Sequence, residues 1–193
     1  MDSNGVNADL PFERSWWIDK GKVIGGRFPG TPDRAESQRL LTHLLDAGVR
    51  TVVNLQVPEE PGANGKPFPD YVATLKRLAA ERGVEVEVHR FPIPDMGVPT
   101  PEQMERILGV IDLAVRAGHR TYVHCWGGHG RTGTVAGCWL VRSGAACGEA
   151  LDLMERARQA DPHLARNPAP QTESQRMFVQ SWARTRGDGG IPA

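Results

Sequence analysis

Thr121-Tyr122-Val123-His124-Cys125-Trp126-Gly127-Gly128-His129-Gly130-Arg131-Thr132-Gly133 decides how the chain is read. Its first four residues form a short apolar run suited to a buried strand. Glycines then interrupt regular structure, and a helical pattern follows. A strand feeding a turn and a helix is the building unit of an α/β sheet. The flanking sequence repeats that alternation in both directions.

Upstream, Thr100-Pro101-Glu102-Gln103 has the form of a capping box with Pro at the first helical position, opening a helix that Gly118 ends. Val84-Glu85-Val86-Glu87-Val88 alternates strictly and is the clearest strand by period. Tyr71, Leu75, Leu78 and Ala79 mark a helix closed by Gly83, and residues 58–69 (PEEPGANGKPFP) read as a loop in which Glu59 and Glu60 are solvated charges. Arg50 to Leu55 and Lys22 to Gly25 read as strands, with a helix between them started by Asp33 and carried by Leu40, Leu41, Leu44 and Leu45. Downstream of Thr132 three helical segments are expected and no further strand. The expected fold is therefore α/β, a central mostly parallel sheet of about four to five strands flanked by helices, with a helical C-terminal third. A flexible segment is expected at 1–14, one domain at 15–183 and a flexible tail at 184–193.

The length of 193 residues suits that single domain, and 39% hydrophobic with 24% charged residues is the balance of a soluble globular chain. Lys plus Arg and Asp plus Glu both number 23, so the basic excess of a nucleic-acid binder is missing. Three cysteines (Cys125, Cys138, Cys147) make neither a disulfide framework nor a zinc pattern, which favours reduced thiols and a cytoplasmic location. The polar N-terminus has no apolar core of a signal peptide, and no apolar run approaches the roughly 20 residues of a membrane span. No metal or cofactor is expected.

The opening stretch also carries chemistry. Cleaving a phosphate ester through a covalent intermediate needs a nucleophile aimed at phosphorus, donors for the equatorial oxygens and a proton for the departing oxygen. The turn Trp126-Gly127-Gly128-His129-Gly130 lets backbone N–H groups converge into an anion nest, and the helix beginning near Arg131 adds its positive dipole end. The same cradle favours Cys125 as thiolate. Arg131, six residues on, returns its planar fork over the nest to grip phosphoryl oxygens. Thr132 supplies a hydroxyl to the cysteine sulfur when that sulfur leaves in the second step.

His-Cys-x5-Arg-Thr strung with glycine resembles the signature loop of the cysteine-dependent protein tyrosine phosphatases, most closely their compact dual-specificity branch. Phe91-Pro92-Ile93-Pro94-Asp95 is similar to the loop carrying that family's general acid, and the resemblance implies this role for Asp95. Gln171-Thr172-Glu173-Ser174-Gln175 is similar to its Q-T-x-x-Q segment, implying that Gln171, with Gln175 in support, positions the hydrolytic water. The resemblance covers roughly residues 15–183 and implies a tyrosine phosphatase-like fold acting on a phosphorylated protein, at phosphotyrosine and also at phosphoserine or phosphothreonine. The phosphotyrosine-clamping aromatic loop of the larger tyrosine-specific members is missing, as is the tryptophan of their acid loop. Trp126 and His129 fill variable positions of the signature loop. A basic residue at the second position occurs in relatives acting on phosphoinositides, so a lipid headgroup or a small soluble phosphoester stays open as substrate.

Other readings of these residues stand beside that one. His124 is expected to hydrogen-bond the loop backbone, the alternative being a catalytic Cys–His pair. His129 either meets solvent or touches substrate. Cys138 is read as a core-facing helix residue, with disulfide exchange with Cys125 as its alternative. A phosphate-reading module without catalysis also fits the nest. Gly128-x-Gly130-x-x-Gly133 matches the dinucleotide fingerprint, but the residues after its helix (148–154) continue helical where a parallel strand would be required.

Overall fold

The computed structural model describes residues 9–62 and 64–187. In chain order the elements are β1 (Ser15–Asp19), β2 (Val23–Gly26), α1 (Arg34–Asp46), β3 (Val49–Asn54), α2 (Val72–Glu81), β4 (Glu87–Arg90), α3 (Pro101–Arg116), β5 (Arg120–His124), α4 (Gly130–Arg142), α5 (Cys147–Arg158), α6 (Pro162–Ala165) and α7 (Glu173–Gly187). The strands form one sheet in the order β1-β2-β5-β3-β4. The last four run parallel, and β1 pairs antiparallel with β2. The mostly parallel α/β sheet read from sequence is the sheet observed.

Alternating side chains of the central strands feed two cores. Val23, Val53 and Val123 point into a cluster with Met104, Ile107, Leu108 and Ile111 of α3, and with residues of α4, α5 and α7. Ile24, Val52 and Tyr122 point the other way, against Leu40, Leu41, Leu44 and Leu45 of α1 and Leu75, Leu78 and Ala79 of α2. Each large aliphatic side chain so enclosed contributes about 2 kcal/mol, opposed by the entropy of ordering it. This burial on both faces is why β3 and β5 read as continuous apolar runs.

Local signals set the helix ends. Asp33 Oδ1 accepts the Glu36 N–H at 2.7 Å at the start of α1, and Thr100 Oγ1 accepts the Gln103 N–H at 3.2 Å at the start of α3. The expected capping box at Thr100 is only half made. Gln103 Nε2 donates to the Pro92 carbonyl at 3.0 Å, which ties α3 to the segment after β4.

Two readings need correction. The alternating stretch 84–88 contributes only its last two residues to a strand, because the Val84 N–H is taken by the Ala79 carbonyl behind α2 and β3 meets this edge only from Thr51 onward. Strand β1 carries no clean alternation and went unread; Trp16, nearly fully buried, and Ile18 anchor it on one core. Downstream of α4 lie α5, α7 and the one-turn α6. Described structure also lies on the outer side of the expected limits at 15 and 183. Phe12 is buried with its ring edge-on to Tyr122 at 5.8 Å and beneath the Arg27 guanidinium at 5.2 Å, while α7 runs to Gly187. The remaining parts of the expected flexible ends, residues 1–8 and 188–193, lie outside the described residues.

The C-terminal ends of the parallel strands share one level. His124 is paired with Gly26 on one side and with Asn54 on the other, and Asn54 with Arg90. The segments leaving these four ends therefore rise beside one another, where open α/β sheets place their sites.

Phe12→Ala is expected to lower the unfolding free energy by about 3 kcal/mol, as truncation of a buried aromatic does. A urea denaturation midpoint indistinguishable from the parent chain would show that the segment before β1 is not docked.

Candidate active site

Cys125 follows the last residue of β5 and is 3% exposed. Beyond it the turn folds over the strand end, fixed by the Phe28 N–H donating to the Trp126 carbonyl at 2.8 Å. Gly128 has φ +79°, and a Cβ there would lie 2.6 Å from the Gly26 carbonyl carbon. No residue with a side chain fits that conformation and that distance together. At Gly130, the first residue of α4, a Cβ would stand 2.9 Å from the Gln175 amide. Thr132, inside the first turn of α4, directs its hydroxyl to Cys125 Sγ at 3.2 Å.

Arg131 is 2% exposed and lies along the same cavity. Its Nη1 donates to Glu60 Oε2 at 2.5 Å and to the Ile93 carbonyl at 3.0 Å, and its Nη2 to Glu60 Oε1 at 2.8 Å. Glu60, read from sequence as a solvated loop charge, is instead 5% exposed and takes further bonds from Gln56 Nε2 at 3.2 Å and the Val57 N–H at 3.3 Å. The loop of residues 55–71 folds back over the strand ends and carries the carboxylate inward. Burial works against ionisation of Glu60, but the Arg131 bonds and charge, with those of Gln56 and Val57, hold its carboxyl below the ordinary range. Burial likewise opposes the charge on Arg131, and the bonds to Glu60 with the charges of Cys125, Glu60 and Asp95 raise it above the usual value.

Asp95 is half exposed, with Oδ1 2.9 Å from Arg131 Nη2. It sits on a turn closed by the Gly97 N–H on the Pro94 carbonyl at 2.9 Å. Cys125, Arg131 and Asp95, far apart in sequence, thus line one cavity of about 420 Å³. Gln171 lines it too, next to Gly130. Gln175 is fully buried and its amide serves the backbone. Oε1 accepts the N–H groups of Gln171 and Thr172, both at 3.1 Å, and Nε2 donates to the Gly97 carbonyl at 3.0 Å.

His124 is completely buried beneath the turn. Nδ1 faces the Cys125 carbonyl at 3.1 Å and so carries the proton, which leaves Nε2 to accept the Tyr71 hydroxyl at 2.7 Å. Burial, and then the charges of Arg90 and Arg131 against the Cys125 bond, depress its pKa to about 3. It is a neutral strut with both nitrogens occupied.

His129, read as meeting either solvent or substrate, is largely enclosed. It is 8% exposed, and burial followed by the charges of Arg158, His163 and Arg14 lowers its pKa to about 4. Cys138 is buried in the core between α4 and its neighbours, as expected for a core-facing residue. An aromatic wall, Phe28, Phe68 and Trp126, rises on one side of the cavity, with Phe68 4.7 Å from Phe28 and 5.5 Å from Trp126 between ring centroids. Sequence reading placed Glu60 in solvent and passed over Tyr71 as partner of His124, Arg158, and Phe28 and Phe68 beside Trp126.

A strand, a glycine turn seating a cysteine at the mouth of a helix, and an arginine in its first turn form the strand–turn–helix arrangement expected of the signature loop. The chain belongs to the DSP-PTPase phosphatase domain family, described as Swiss Army Knife protein, whose profile matches residues 13–179. It is similar to an uncharacterized protein of Methanocaldococcus jannaschii, MJECL20, with 36% identity over 49% of this chain and 58% of that one. It is also similar to protein tyrosine phosphatase domain-containing protein 1 of Danio rerio, with 26% identity over 88% of this chain and 24% of that one. The chain thus spans less than two thirds of these curated relatives. Among solved structures, Tk-PTP in its active form superposes with a TM-score of 0.69 at 29% identity, covering 89% of this chain and 97% of that one. Among the described residues, no helix is long and apolar enough to cross a membrane.

Two stability experiments follow from the buried charges. Glu60→Gln is expected to lower the unfolding free energy by about 3 kcal/mol, because Arg131 then stays buried without its counter-charge. Glu59→Gln, at the exposed neighbour, should leave it within about 0.5 kcal/mol; equal effects would refute the buried pair. The His124 pKa is lower in the folded chain than in the unfolded one, so its contribution is fully present above about pH 6.5 and shrinks as pH falls toward 3. Urea midpoints should therefore drop more steeply between pH 6.5 and 4 for the parent chain than for His124→Asn. Parallel curves would contradict a neutral buried imidazole.

Proposed function

We propose that the chain is a cytoplasmic phosphomonoesterase that hydrolyses phosphotyrosine in proteins, and also phosphoserine or phosphothreonine, through a phosphocysteine intermediate. The observation that carries this is the meeting of Cys125, Arg131 and Asp95 on one cavity floored by the glycine turn. The aromatic wall of Phe28, Phe68 and Trp126 supports an aryl ester, because a ring that follows the phosphoryl group inward packs against these faces.

In the first step the Cys125 thiolate attacks phosphorus, the S–P bond forms and the O–P bond to the leaving group breaks. Asp95 gives its proton to the departing oxygen. The turn N–H groups and the α4 dipole hold the equatorial oxygens, whose charge grows in the transition state. Arg131 is oriented by Glu60 along its far edge, so the side of the fork nearer Asp95 turns to the phosphoryl group. A bound phosphoryl oxygen competes with Asp95 for Arg131 Nη2, and thereby frees the carboxyl to face the leaving oxygen. In the second step water attacks phosphorus, placed by Gln171, and passes its proton to Asp95. The S–P bond breaks, and the sulfur regains its negative charge beside the Thr132 hydroxyl. A compartment that keeps thiols reduced suits this nucleophile.

Cys125→Ser should abolish turnover of phenyl phosphate while tungstate binding persists, measured by colorimetric phosphate release and by calorimetry. Retention of turnover would refute the covalent route, and absence of turnover in the parent chain would favour a phosphate-reading module. Asp95→Ala should lower kcat/KM for phenyl phosphate about 100-fold and for 4-nitrophenyl phosphate much less, since the better leaving group needs no proton. Equal losses would assign Asp95 a structural part only.

A further inference from the structure

Another part of the cavity wall is polar, and the steps above leave it unused. It is formed by His129, Arg14, His163 and Asn167 on the cavity that holds Cys125. Behind it Arg158, the last residue of α5, is 3% exposed. Its Nη2 lies 2.6 Å from His129 Nδ1, its Nη1 donates to the Asn167 carbonyl at 2.9 Å, and its guanidinium stands 5.6 Å over the Trp16 ring. Its Nε–H is buried without a hydrogen-bond partner.

An arginine only donates, so His129 Nδ1 is an acceptor and the imidazole proton sits on Nε2. That Nε2 lies 3.3 Å from where a Cβ on Gly127 would be, at the edge of the phosphate turn. His129 is more than nine-tenths buried, and among the described residues Nε2 has no hydrogen-bond partner. The charged and titratable groups facing this ring are Arg158 from α5, His163 and Asp161 from the α6 turn and Arg14 from the segment before β1. The His163 ring is 5.4 Å away. Asp161, the carboxylate among them, spends its oxygens on backbone, taking the Arg14 N–H at 2.7 Å, the His163 N–H at 2.8 Å and the Leu164 N–H at 3.0 Å. The Arg14 guanidinium has no ion-pair or hydrogen-bond partner among the described residues. The wall therefore offers an N–H donor and a free cation with a second cation buried behind them, and lacks a carboxylate free to answer them.

We propose that this wall is a second oxyanion subsite. A substrate carrying another acidic group, phosphate or carboxylate, near its scissile phosphoryl group sets it against His129 Nε2–H and the Arg14 guanidinium, with Arg158 as the positioning residue that fixes the imidazole. The inference rests on the phosphomonoesterase reading for the placement of the first phosphoryl group in the turn. It narrows the substrate class to compounds with two neighbouring anionic groups, and charge-assisted bonds of this kind are strong enough for at least a tenfold gain in affinity.

The test uses the full chain carrying Cys125→Ser and calorimetric titration with phenyl phosphate, benzene-1,2-diyl bisphosphate, benzene-1,3-diyl bisphosphate and 3-carboxyphenyl phosphate. At least one probe with two acidic groups should bind tenfold or more tightly than phenyl phosphate, and which one does separates a phosphate from a carboxylate. Arg14→Met should reduce that ratio below threefold, as should Arg158→Met, while Arg158→Lys restores part of it. A ratio under threefold in the Cys125→Ser chain, or one unchanged by Arg14→Met, overturns the subsite. Long-range proton–nitrogen NMR should find His129 as the Nε2–H tautomer at pH 6 and lose that signature in Arg158→Met; an Nδ1–H tautomer or an imidazolium in the Cys125→Ser chain overturns the positioning role. Turnover of phenyl phosphate by the Cys125 chain without any preference for a second acidic group would sink the subsite alone. Such a preference without turnover would sink the hydrolase reading alone.

Discussion

A guanidinium deprived of water must be answered by a carboxylate, and in this protein that demand joins parts of the chain 71 residues apart. Arg131 and Glu60 are 1% and 5% exposed at their side chains and meet through both nitrogens and both oxygens. Separating them would leave two unpaired charges inside the protein, at a cost of several kcal/mol. The pair therefore fixes the loop after β3 over the end of β5. It also settles which edge of the arginine fork faces the cavity. The Ile93 carbonyl on the same Nη1 draws the segment after β4 into the arrangement. Three chain segments leaving three strand ends are locked by one cation.

The sheet makes this economical. Because His124, Gly26, Asn54 and Arg90 stand in one row, nothing has to reach far. The turn after β5 carries Cys125, its glycines and Trp126, the loop after β3 brings Glu60 and Phe68, the segment after β4 Asp95, and the segment after β2 Phe28. His124 closes the row from below as an uncharged post between Tyr71 and the turn backbone. Its neutrality matters electrostatically, since a second cation there would compete with Arg131 for the same anion.

The sequence revealed what depends on neighbours along the chain and concealed what depends on burial. Asp33, Thr100 and the glycines after helices act within a few residues, so their effects were readable. The signature turn was legible for the same reason, since its glycines, Cys125, Arg131 and Thr132 are all local to one strand–turn–helix junction. Val84 to Val88 has a perfect period, but a strand also needs a partner, and β3 provides one only from Thr51. Glu60 stands in a Pro- and Gly-rich run beside the exposed Glu59, and nothing nearby distinguishes the two. Arg158 ends an ordinary amphipathic helix, and its contact with His129 spans 29 residues. Both owe their roles to enclosure by distant segments.

The stretch bearing Asp95 is tethered at each end by a side-chain amide, Gln103 on the Pro92 carbonyl and Gln175 on the Gly97 carbonyl. Ile93 is pinned as well, by its N–H on the Leu55 carbonyl and by its own carbonyl on Arg131. Between these posts the short arc from Pro94 to Met96 is held by the Gly97 N–H on the Pro94 carbonyl and by Asp95 on Arg131. Moving Asp95 off Arg131 thus takes only a local pivot of a few peptide units between two fixed posts, with the surrounding scaffold left in place.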